Sequence, residues 1–457
     1  MTDAILLEKA TPLATSRELR EIVRLSWPIA LAQFGLIAMS LVDTAILGHV
    51  SIDDLAGAAM GRAIGFAAVT ISMGLATGLE PLASQALGAK DPGRAWQGLL
   101  TTLRACLLVW LPTLVVAVGV TYLLAPLGVE GPVIERTRAF VIGQAPQMAF
   151  VGVFLAAKVF LQAHGSTAPA LVGSVVANVL NVVVCSLLVR GDDALRMVHL
   201  PPLGLPRLGA LGAGMALSFA TLVLTAFVVI PAWRLRGEGA RAPRVPMRLV
   251  WKLGAPVGMQ MLAEYAVFTL IALLAGKLGA RVVSAHQVAI GLASFTYMGA
   301  LGVAGATAVR VGIAVGEGRS PRRAGLLGIA IGAASMAVWA IVFALVPVWL
   351  VDVFTDEPHV IILGAQLLFI AAIFQLFDGV QVVAAGALRG AGDVRAPFLA
   401  VVGAHWLIGL PLALFFCFGL GWGASGLWWG VTGGLVAVSI VLGARFLVVS
   451  ARTIARV

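Results

Sequence analysis

The feature that most constrains this chain is an internal repeat, about 228 residues apart, between segments that lie within or beside long apolar stretches. Two homologous halves that face one another across a central cleft are a common architecture of secondary transporters in membranes. The repeat therefore predicts two related membrane lobes. The recurring segments are Leu25–Pro28 with Leu253–Pro256, Gly48 with Gly276, Met73–Gly74 with Met298–Gly299, Gly88–Pro92 with Gly316–Pro321, and Leu161–Pro169 with Leu388–Pro397.

The amino-acid composition indicates that the chain resides in a lipid bilayer. Hydrophobic residues make up 60% of the sequence and charged residues 11%, and the mean hydropathy is +1.01. Such a chain cannot cover a water-exposed surface with polar groups, so we expect an all-α integral membrane protein. Apolar windows of about 20 residues predict twelve spans, six in each half: 25–47, 57–86, 98–126, 138–160, 168–189, 208–233, 251–276, 284–314, 324–350, 360–386, 396–419 and 424–447.

Charge distribution predicts the orientation and the domain plan. Lys and Arg concentrate at the termini and in alternate connections, so both termini are expected in the cytoplasm of a multi-pass inner-membrane protein. The net charge of +10 is spread over short loops, which favours anionic lipid headgroups over nucleic acid as the partner. The predicted parts are a cytoplasmic segment 1–24, a lobe 25–235, a basic linker 236–250, a lobe 251–447 and a tail 448–457.

Carboxylates inside the predicted spans are the main functional candidates. Asp43, Glu264 and Asp378 lie well inside the first, seventh and tenth spans. Glu80 lies nearer the cytoplasmic end of the second span and is grouped with Asp43 as a candidate of the first-half site. A charge at bilayer depth costs several kcal/mol, so these positions are candidates for a site by default.

Amide side chains accompany the acids of the second half at helical spacing. Gln375, Asp378 and Gln381 share one helix face, and Gln260 lies one turn before Glu264. We expect the helices of Glu264 and Asp378 to converge, because both residues fall in the same predicted lobe. Two carboxylates with glutamine oxygens nearby would bind Na⁺ or retain a proton, and either event would couple an ion gradient to a conformational change.

A matching polar stripe lies on the fifth span and predicts the site of the first half. Ser174, Asn178, Asn181 and Cys185 lie along one face, with amide oxygens suited to a cation or to a carboxyl group. For the pair Glu264 and Asp378 an alternative stays open, because a buried base could neutralise one of the two acids. The bases considered were Arg310, Arg389 and Lys158.

Aromatic side chains near the acids could line a pocket for a lipophilic cation through apolar contact and cation–π attraction. His286-Gln287, at the start of the eighth span, could add a polar contact, although a lone histidine there is more often a hydrogen-bonded helix-end residue. The pocket candidates are Tyr265, Phe268, Phe295, Tyr297, Phe374, Phe377 and Gln287.

On these residues the chain resembles the multidrug and toxic compound extrusion (MATE) family, and in particular its NorM-type members. LVDTAILGHVS around Asp43, GLATGLEPLASQALGAKD around Glu80, and the segment Leu253–Glu264 resemble family motifs, as do AHQVAIG, AVRVG and LFDGVQVVAAGALRGAGDVRAP. Together these motifs extend along the whole chain.

The resemblance implies two six-helix lobes that form a V-shaped cleft and export cationic or amphipathic compounds in exchange for Na⁺ or H⁺. It implies a C-lobe coupling site, with Na⁺ at Glu264 and Asp378, and an N-lobe site that includes Asp43 and Asn181. Cys185 stands where many members carry Asp or Asn, so tight Na⁺ coordination in the N-lobe is in doubt, and Asp43 could titrate alone.

Other functional classes fit the sequence less well. A flippase for lipid-linked saccharides is the main alternative, but basic residues that would meet pyrophosphate are few within the spans. A membrane enzyme or a channel is disfavoured, because no metal cluster, nucleophile–base pair or phosphate loop stands out and a pore usually needs a symmetric oligomer. We expect a monomeric transporter without a cofactor, with small-molecule substrates and the bilayer as its partners.

Overall fold

The computed structural model describes residues 15–197, 199–237 and 242–457. Most of the predicted segment 1–24 and the centre of the linker 236–250 therefore lie outside the described residues. Within the described part, twelve helices are long and apolar enough to cross a membrane. This confirms the predicted helical membrane class and the number of spans.

The helices of the first half begin and end close to the predicted spans. They are α1 (Thr15–Gly48), α2 (Ile52–Thr77), α3 (Leu79–Gly88), α4 (Pro92–Tyr122), α5 (Gly131–Gly143), α6 (Ala145–Ala163), α7 (Ala168–Arg190), α8 (Asp192–Met197) and α9 (Gly209–Arg234).

The helices of the second half follow the same order of long spans. They are α10 (Met247–Lys277), α11 (Ala280–Gly316), α12 (Arg322–Leu345), α13 (Pro347–Asp352), α14 (Pro358–Gly390), α15 (Arg395–Val402), α16 (Leu410–Leu414) and α17 (Gly423–Ser450), with π-helical turns at Gly403–Gly409 and Phe415–Gly419.

Two predicted spans are interrupted by proline. The span 138–160 was predicted as continuous, but α5 ends at Gly143 and α6 begins with Pro146 in its first turn. The span 324–350 was also wrong at its end, because α12 stops at Leu345 and Pro347 begins α13. Proline has no N–H to donate and clashes with the preceding turn, so it fits best in the first turn of a helix. Membrane helices also tolerate proline in their interior, as α1 does at Pro28 and α10 at Pro256.

The chain divides into two compact units whose limits differ from the predicted lobes. Unit 1 contains the described residues of 1–30 together with 80–95 and 266–457, and unit 2 contains 31–79 and 96–265. Segment 80–95 of the first half thus belongs with most of the second half. The beginning of α10 belongs with the first half.

Close glycine contacts hold the start of α10 in unit 2 and the start of α1 in unit 1. In unit 2, a Cβ on Gly74 would lie 2.1 Å from the nitrogen of Gly258 and 2.7 Å from the carbonyl oxygen of Gly254, so α2 and α10 touch backbone to backbone. In unit 1, a Cβ on Gly302 would lie 2.6 Å from the carbonyl oxygen of Ser26 on α1. Small residues permit such close approach where lipid provides no hydrophobic drive for helix packing.

Segment 80–95 is held in unit 1 by the same type of contact. A Cβ on Gly88 would lie 2.3 Å from the carbonyl oxygen of Ile313, and a Cβ on Gly316 would lie 2.1 Å from the carbonyl oxygen of Gln85. The end of α3 therefore packs directly on the end of α11. Gln85 also donates a hydrogen bond of 3.0 Å from its Nε2 to the carbonyl oxygen of Gly390 on α14.

Candidate functional site

Asp43 forms the centre of a buried polar cluster in unit 2. Its side chain lies on α1 at 0% exposure, and its Oδ1 accepts a 2.7 Å hydrogen bond from Nδ2 of Asn181 on α7. Within the described residues, Asp43 Oδ2 and Asn181 Oδ1 are buried and have no hydrogen-bond partner. Two acceptor oxygens left open at membrane depth indicate a place where a bound group completes the hydrogen bonding.

Arg62 on α2 is the cluster member that the sequence analysis missed. Its Nη1 donates to the carbonyl oxygen of Ser40 at 2.8 Å, to the Ser40 hydroxyl, and to the Thr44 hydroxyl at 3.3 Å. Ser40 and Thr44 flank Asp43 on α1, and Arg62 interacts electrostatically with that carboxylate. The signal was present in the sequence, because Arg62 is a charged residue inside the predicted span 57–86.

The polar stripe of α7 holds α1 in place. Asn178 Nδ2 donates to the carbonyl oxygen of Gly35 at 2.9 Å, and the Ser174 hydroxyl donates to that of Ala32 at 3.4 Å. A Cβ on Gly35 would lie 1.9 Å from Ser174 Oγ, so only glycine permits this approach. Of the predicted first-half site, Asn181 therefore contacts Asp43, whereas Asn178 contacts the backbone of α1.

Glu80 does not lie in the Asp43 cluster, although it was predicted with that site. It belongs to unit 1, where Arg389 Nε on α14 donates to Glu80 Oε2 at 3.1 Å. Both side chains are at most 10% exposed. Neutralisation of a buried acid by a buried base, considered from sequence for Glu264 and Asp378, is thus found at Glu80. The contacts that hold segment 80–95 in unit 1 place it there.

The other two bases considered from sequence also have contacts. Arg310 on α11 forms a two-pronged ion pair with Glu18 on α1, with distances of 2.7 and 2.9 Å. Lys158 Nζ on α6 donates to Oε1 of Gln33 on α1 at 2.8 Å. Each of these buried cations contacts the helix that carries Asp43, at a position nearer its beginning.

The predicted second-half pair is divided between the units. Glu264 lies in unit 2, half-buried, and its Oε1 accepts a 3.2 Å hydrogen bond from Gln260 Nε2. Asp378 lies half-buried on α14 in unit 1, and Gln381 is buried on the same helix. The expectation that these carboxylates converge rested on a lobe boundary that the compact units do not follow, so it stays a prediction.

Buried amide oxygens and nitrogens accompany each of these carboxylates. Gln375 on α14 is at 0% exposure, and its Oε1 accepts a 2.9 Å hydrogen bond from the Thr296 hydroxyl on α11. Within the described residues, Gln375 Nε2 and Gln260 Oε1 are buried without a hydrogen-bond partner. A buried amide atom without a partner is costly and indicates a place where a bound group can complete the hydrogen bonding.

Two of the predicted aromatic candidates share a pocket. Phe268 and Phe374 line it together in unit 1, with ring centroids 6.4 Å apart. His286 lines the same pocket and accepts a 3.2 Å hydrogen bond from Trp428 Nε1. The wall of this pocket is mainly aromatic and aliphatic: Phe268, Ile271, His286, Ile290, Phe374, Trp428 and Val431.

The remaining aromatic candidates lie elsewhere. Tyr265 stacks against Phe66 in unit 2, with centroids 4.8 Å apart. Phe295 meets Trp339 edge-on at 6.5 Å. Tyr297 and Phe377 pack against hydrophobic clusters of unit 1, and Gln287 is exposed.

Sequence comparison identifies the repeat as two copies of one family domain. The MatE family model matches residues 28–187 and again residues 256–415. The two matches begin at Pro28 and Pro256, which agrees with the internal repeat read from the sequence. Together they cover more than half of the chain.

Curated relatives match along nearly the full length. The chain is 34% identical to the probable multidrug resistance protein NorM of Deinococcus radiodurans, over 96% of this chain and 97% of that protein. It is also 34% identical to the multidrug resistance protein NorM of Burkholderia vietnamiensis, over 96% of this chain and 95% of that protein.

Solved structures share the fold at lower sequence identity. The eukaryotic MATE transporter AtDTX14 has a TM-score of 0.82 at 21% identity, covering 95% of this chain and 96% of that one. The Vibrio cholerae MATE transporter VcmN in its bent form has a TM-score of 0.83 at 17% identity, covering 96% and 98%.

Proposed function

Because the chain belongs to the MatE family, we propose that it is a multidrug exporter that moves cationic or amphipathic molecules out of the cell in exchange for Na⁺ or H⁺. Two relatives at 34% identity are named a probable multidrug resistance protein and a multidrug resistance protein. These names support drug export, and the cationic or amphipathic class of the substrates is part of the proposal. The exchange is inferred from the polar residues inside the spans.

The observation that carries the coupling step is the open oxygen of Asp43. This carboxylate is fully buried within a membrane helix, and its Oδ2 has no hydrogen-bond partner among the described residues. An ionised carboxylate in this setting is stabilised when a cation or a proton binds it. Binding of the ion therefore changes the charge of α1.

Alternating access requires the coupling ion to bind two conformations with different affinities. A ligand that binds both equally shifts neither, however tightly it binds. In this proposal, an ion entering from outside neutralises the carboxylates and favours the conformation that releases substrate. Loss of the ion to the cytoplasm then favours the conformation that receives the next substrate.

The second-half coupling residues remain those named from sequence. Glu264 and Asp378 are the proposed ion-binding carboxylates, with Gln260, Gln375 and Gln381 supplying amide groups around them. A carboxylate pair with amide oxygens suits Na⁺ as well as H⁺. The partly buried state of both acids and the open amide atoms of Gln260 and Gln375 support this assignment.

The proposal includes a location. The twelve spans and the distribution of Lys and Arg support a multi-pass protein of the cytoplasmic membrane with both termini inside. The proposed unit of transport is a monomer. Substrates would then leave the cytoplasm directly, while the ion moves inward down its gradient.

Proteoliposomes test the proposal. A fluorescent lipophilic cation is loaded, and a Na⁺ gradient or a pH gradient is imposed separately. We expect one gradient to drive export, and Glu264→Gln and Asp378→Asn each to reduce it to the rate of protein-free vesicles. Asp53→Asn, which removes an exposed carboxylate at the start of α2, is the control and should transport normally. Normal export by both second-half variants would overturn the assignment.

A further inference from the structure

Arg62 is a permanent cation placed beside Asp43 within the membrane-spanning part of α2. Its guanidinium is held on α1 by the carbonyl and hydroxyl of Ser40 and by the Thr44 hydroxyl. Arginine stays protonated in proteins, so the cluster contains one positive and one negative charge before any ion binds.

The guanidinium of Arg62 and the carboxylate of Asp43 lie near each other, but they do not form a direct ion pair. No hydrogen bond joins Arg62 to Asp43 in the part of the chain that the structure describes, and Arg62 Nε and Asp43 Oδ2 are both buried without a partner there. Asp43 therefore keeps one acceptor oxygen open while a cation stands nearby. The charged or titratable groups that face it are Arg62 from α2 and Cys185 from α7.

This arrangement is poor for a metal ion. Hard cations are held by several oxygen ligands, whereas the open acceptors here are Asp43 Oδ2 and Asn181 Oδ1. Cys185 contributes a thiol at the position where an acid would add oxygens. A metal ion would also be repelled by the guanidinium at a depth where screening is weak.

The same arrangement is adequate for a proton, which needs a single oxygen. Burial favours the neutral carboxyl group, and the neighbouring Arg62 favours the carboxylate. The two influences oppose each other, so the carboxyl group can both take up and release a proton. The helix α9, which packs behind Cys185, presents alanines there.

We propose that Arg62 determines the ion specificity of the Asp43 site, excluding Na⁺ from it and restricting it to proton exchange. The inference rests on the proposed function for its role in export, but the ion specificity itself can be measured without transport. Arg62 acts through Asp43 and is therefore a positioning residue. Its effect is measured as a change in the pH at which the Asp43 carboxyl group loses its proton.

The first test is infrared titration of the purified protein. The carboxylic-acid band that Asp43→Asn lacks is followed against pH in the wild type, Arg62→Gln and Arg62→Lys. Removal of a neighbouring positive charge should raise the midpoint by roughly 1–3 pH units, and lysine should restore it. Arg24→Gln, which removes an arginine whose side chain is 69% exposed, should leave the midpoint unchanged. A midpoint in Arg62→Gln equal to that of the wild type would overturn the proposal.

The second test measures Na⁺ directly with ²²Na⁺ binding. Glu264→Gln and Asp378→Asn are present in every sample, so the proposed second-half site does not contribute. We expect no binding that depends on Asp43 when Arg62 is present, and new binding in the double variant Arg62→Gln/Cys185→Asp. Asp43-dependent Na⁺ binding with Arg62 intact would contradict the inference. Absence of gradient-driven export in the wild type would instead contradict the proposed function and leave both of these readouts interpretable.

Discussion

The buried ion pair between Glu80 and Arg389 offers a quantitative prediction. Their side chains are 7% and 10% exposed, and a 3.1 Å hydrogen bond joins them. Removal of one partner leaves the other charge buried, which costs about 3–5 kcal/mol in comparable pairs. Glutamine at position 80 retains the shape and an acceptor oxygen, so we expect Glu80→Gln to destabilise the protein by about 3 kcal/mol, at the lower end of that range.

The double variant distinguishes the interaction energy of the ion pair from the separate effects of its two residues. With both charges removed in Glu80→Gln/Arg389→Gln, neither residue is left as an uncompensated buried charge. We therefore expect the double variant to be more stable than the sum of the two single changes by about 2 kcal/mol. Substitution of both partners by apolar residues, Glu80→Leu/Arg389→Met, should lie nearer the wild type than either single variant.

Unfolding in mixed micelles with increasing dodecyl sulfate measures these free energies through the fluorescence of the 11 tryptophans. The control is Glu357→Gln, because its 3.2 Å ion pair with Arg281 has side chains 44% and 67% exposed. An exposed pair contributes about 0–1 kcal/mol, so that variant should unfold close to the wild type. Additive effects of the two single changes at Glu80 and Arg389 would refute the reasoning.

Two further predictions concern the loop after α7 and the glycine contacts. Asp192 accepts backbone N–H groups of residues 203–205, and these bonds lower its pKa below the ordinary value of 3.8. Because the folded pKa is the lower one, the contribution to loop order is complete above pH 3.8 and is lost as the pH falls through the folded pKa. Amide-exchange protection of 203–205 should show this pH dependence, and Asp192→Asn should lack the protection at neutral pH. Gly74→Ala places a Cβ 2.1 Å from a backbone nitrogen of α10 and should cost about 1–3 kcal/mol by overpacking. Gly119→Ala, where nothing lies within 4 Å of the new Cβ, should be neutral or stabilising in the same unfolding assay.

Much of the fold could be predicted because lipid imposes a simple rule on sequence. Every backbone N–H and C=O group in a membrane span must be hydrogen-bonded within the helix. A long apolar stretch of sequence therefore predicts a helix. The errors were local, as at Gln144 and Val346, where a proline two or one residues later ends the preceding helix. Both prolines are visible in the sequence, but Pro28, Pro112, Pro231 and Pro256 lie inside continuous helices, so a proline alone does not show where a span divides.

The partners of the buried charges could not be read from the sequence. Spacing along one helix places residues on a shared face, but it does not reveal which helix lies opposite. Glu80 was therefore grouped with Asp43 although it pairs with Arg389, and Arg62 was overlooked although it lies beside Asp43. Asn181, which was named with Asp43 from the sequence, donates a hydrogen bond to that carboxylate, and its role in a coupling site stays a prediction.

The compact units also divide the chain at places other than the basic linker. The basic linker marks where the repeat begins again, but the compact units exchange 80–95 and the start of α10. Backbone contacts through Gly74 hold the start of α10, and those through Gly88 hold segment 80–95. The presence of a glycine in a span does not reveal which helix packs against it. The predicted convergence of Glu264 and Asp378 depended on that boundary.

The most direct test of exchange is to drive the ion with the substrate. Sealed proteoliposomes without an ion gradient receive an outward gradient of a lipophilic cation, and the counter-movement of H⁺ and Na⁺ is recorded with a pH dye and with ²²Na⁺. The account predicts that substrate efflux drives one of these ions inward, and that Glu264→Gln and Asp378→Asn abolish the movement. Substrate efflux through the wild-type protein with no counter-movement of either ion would contradict it.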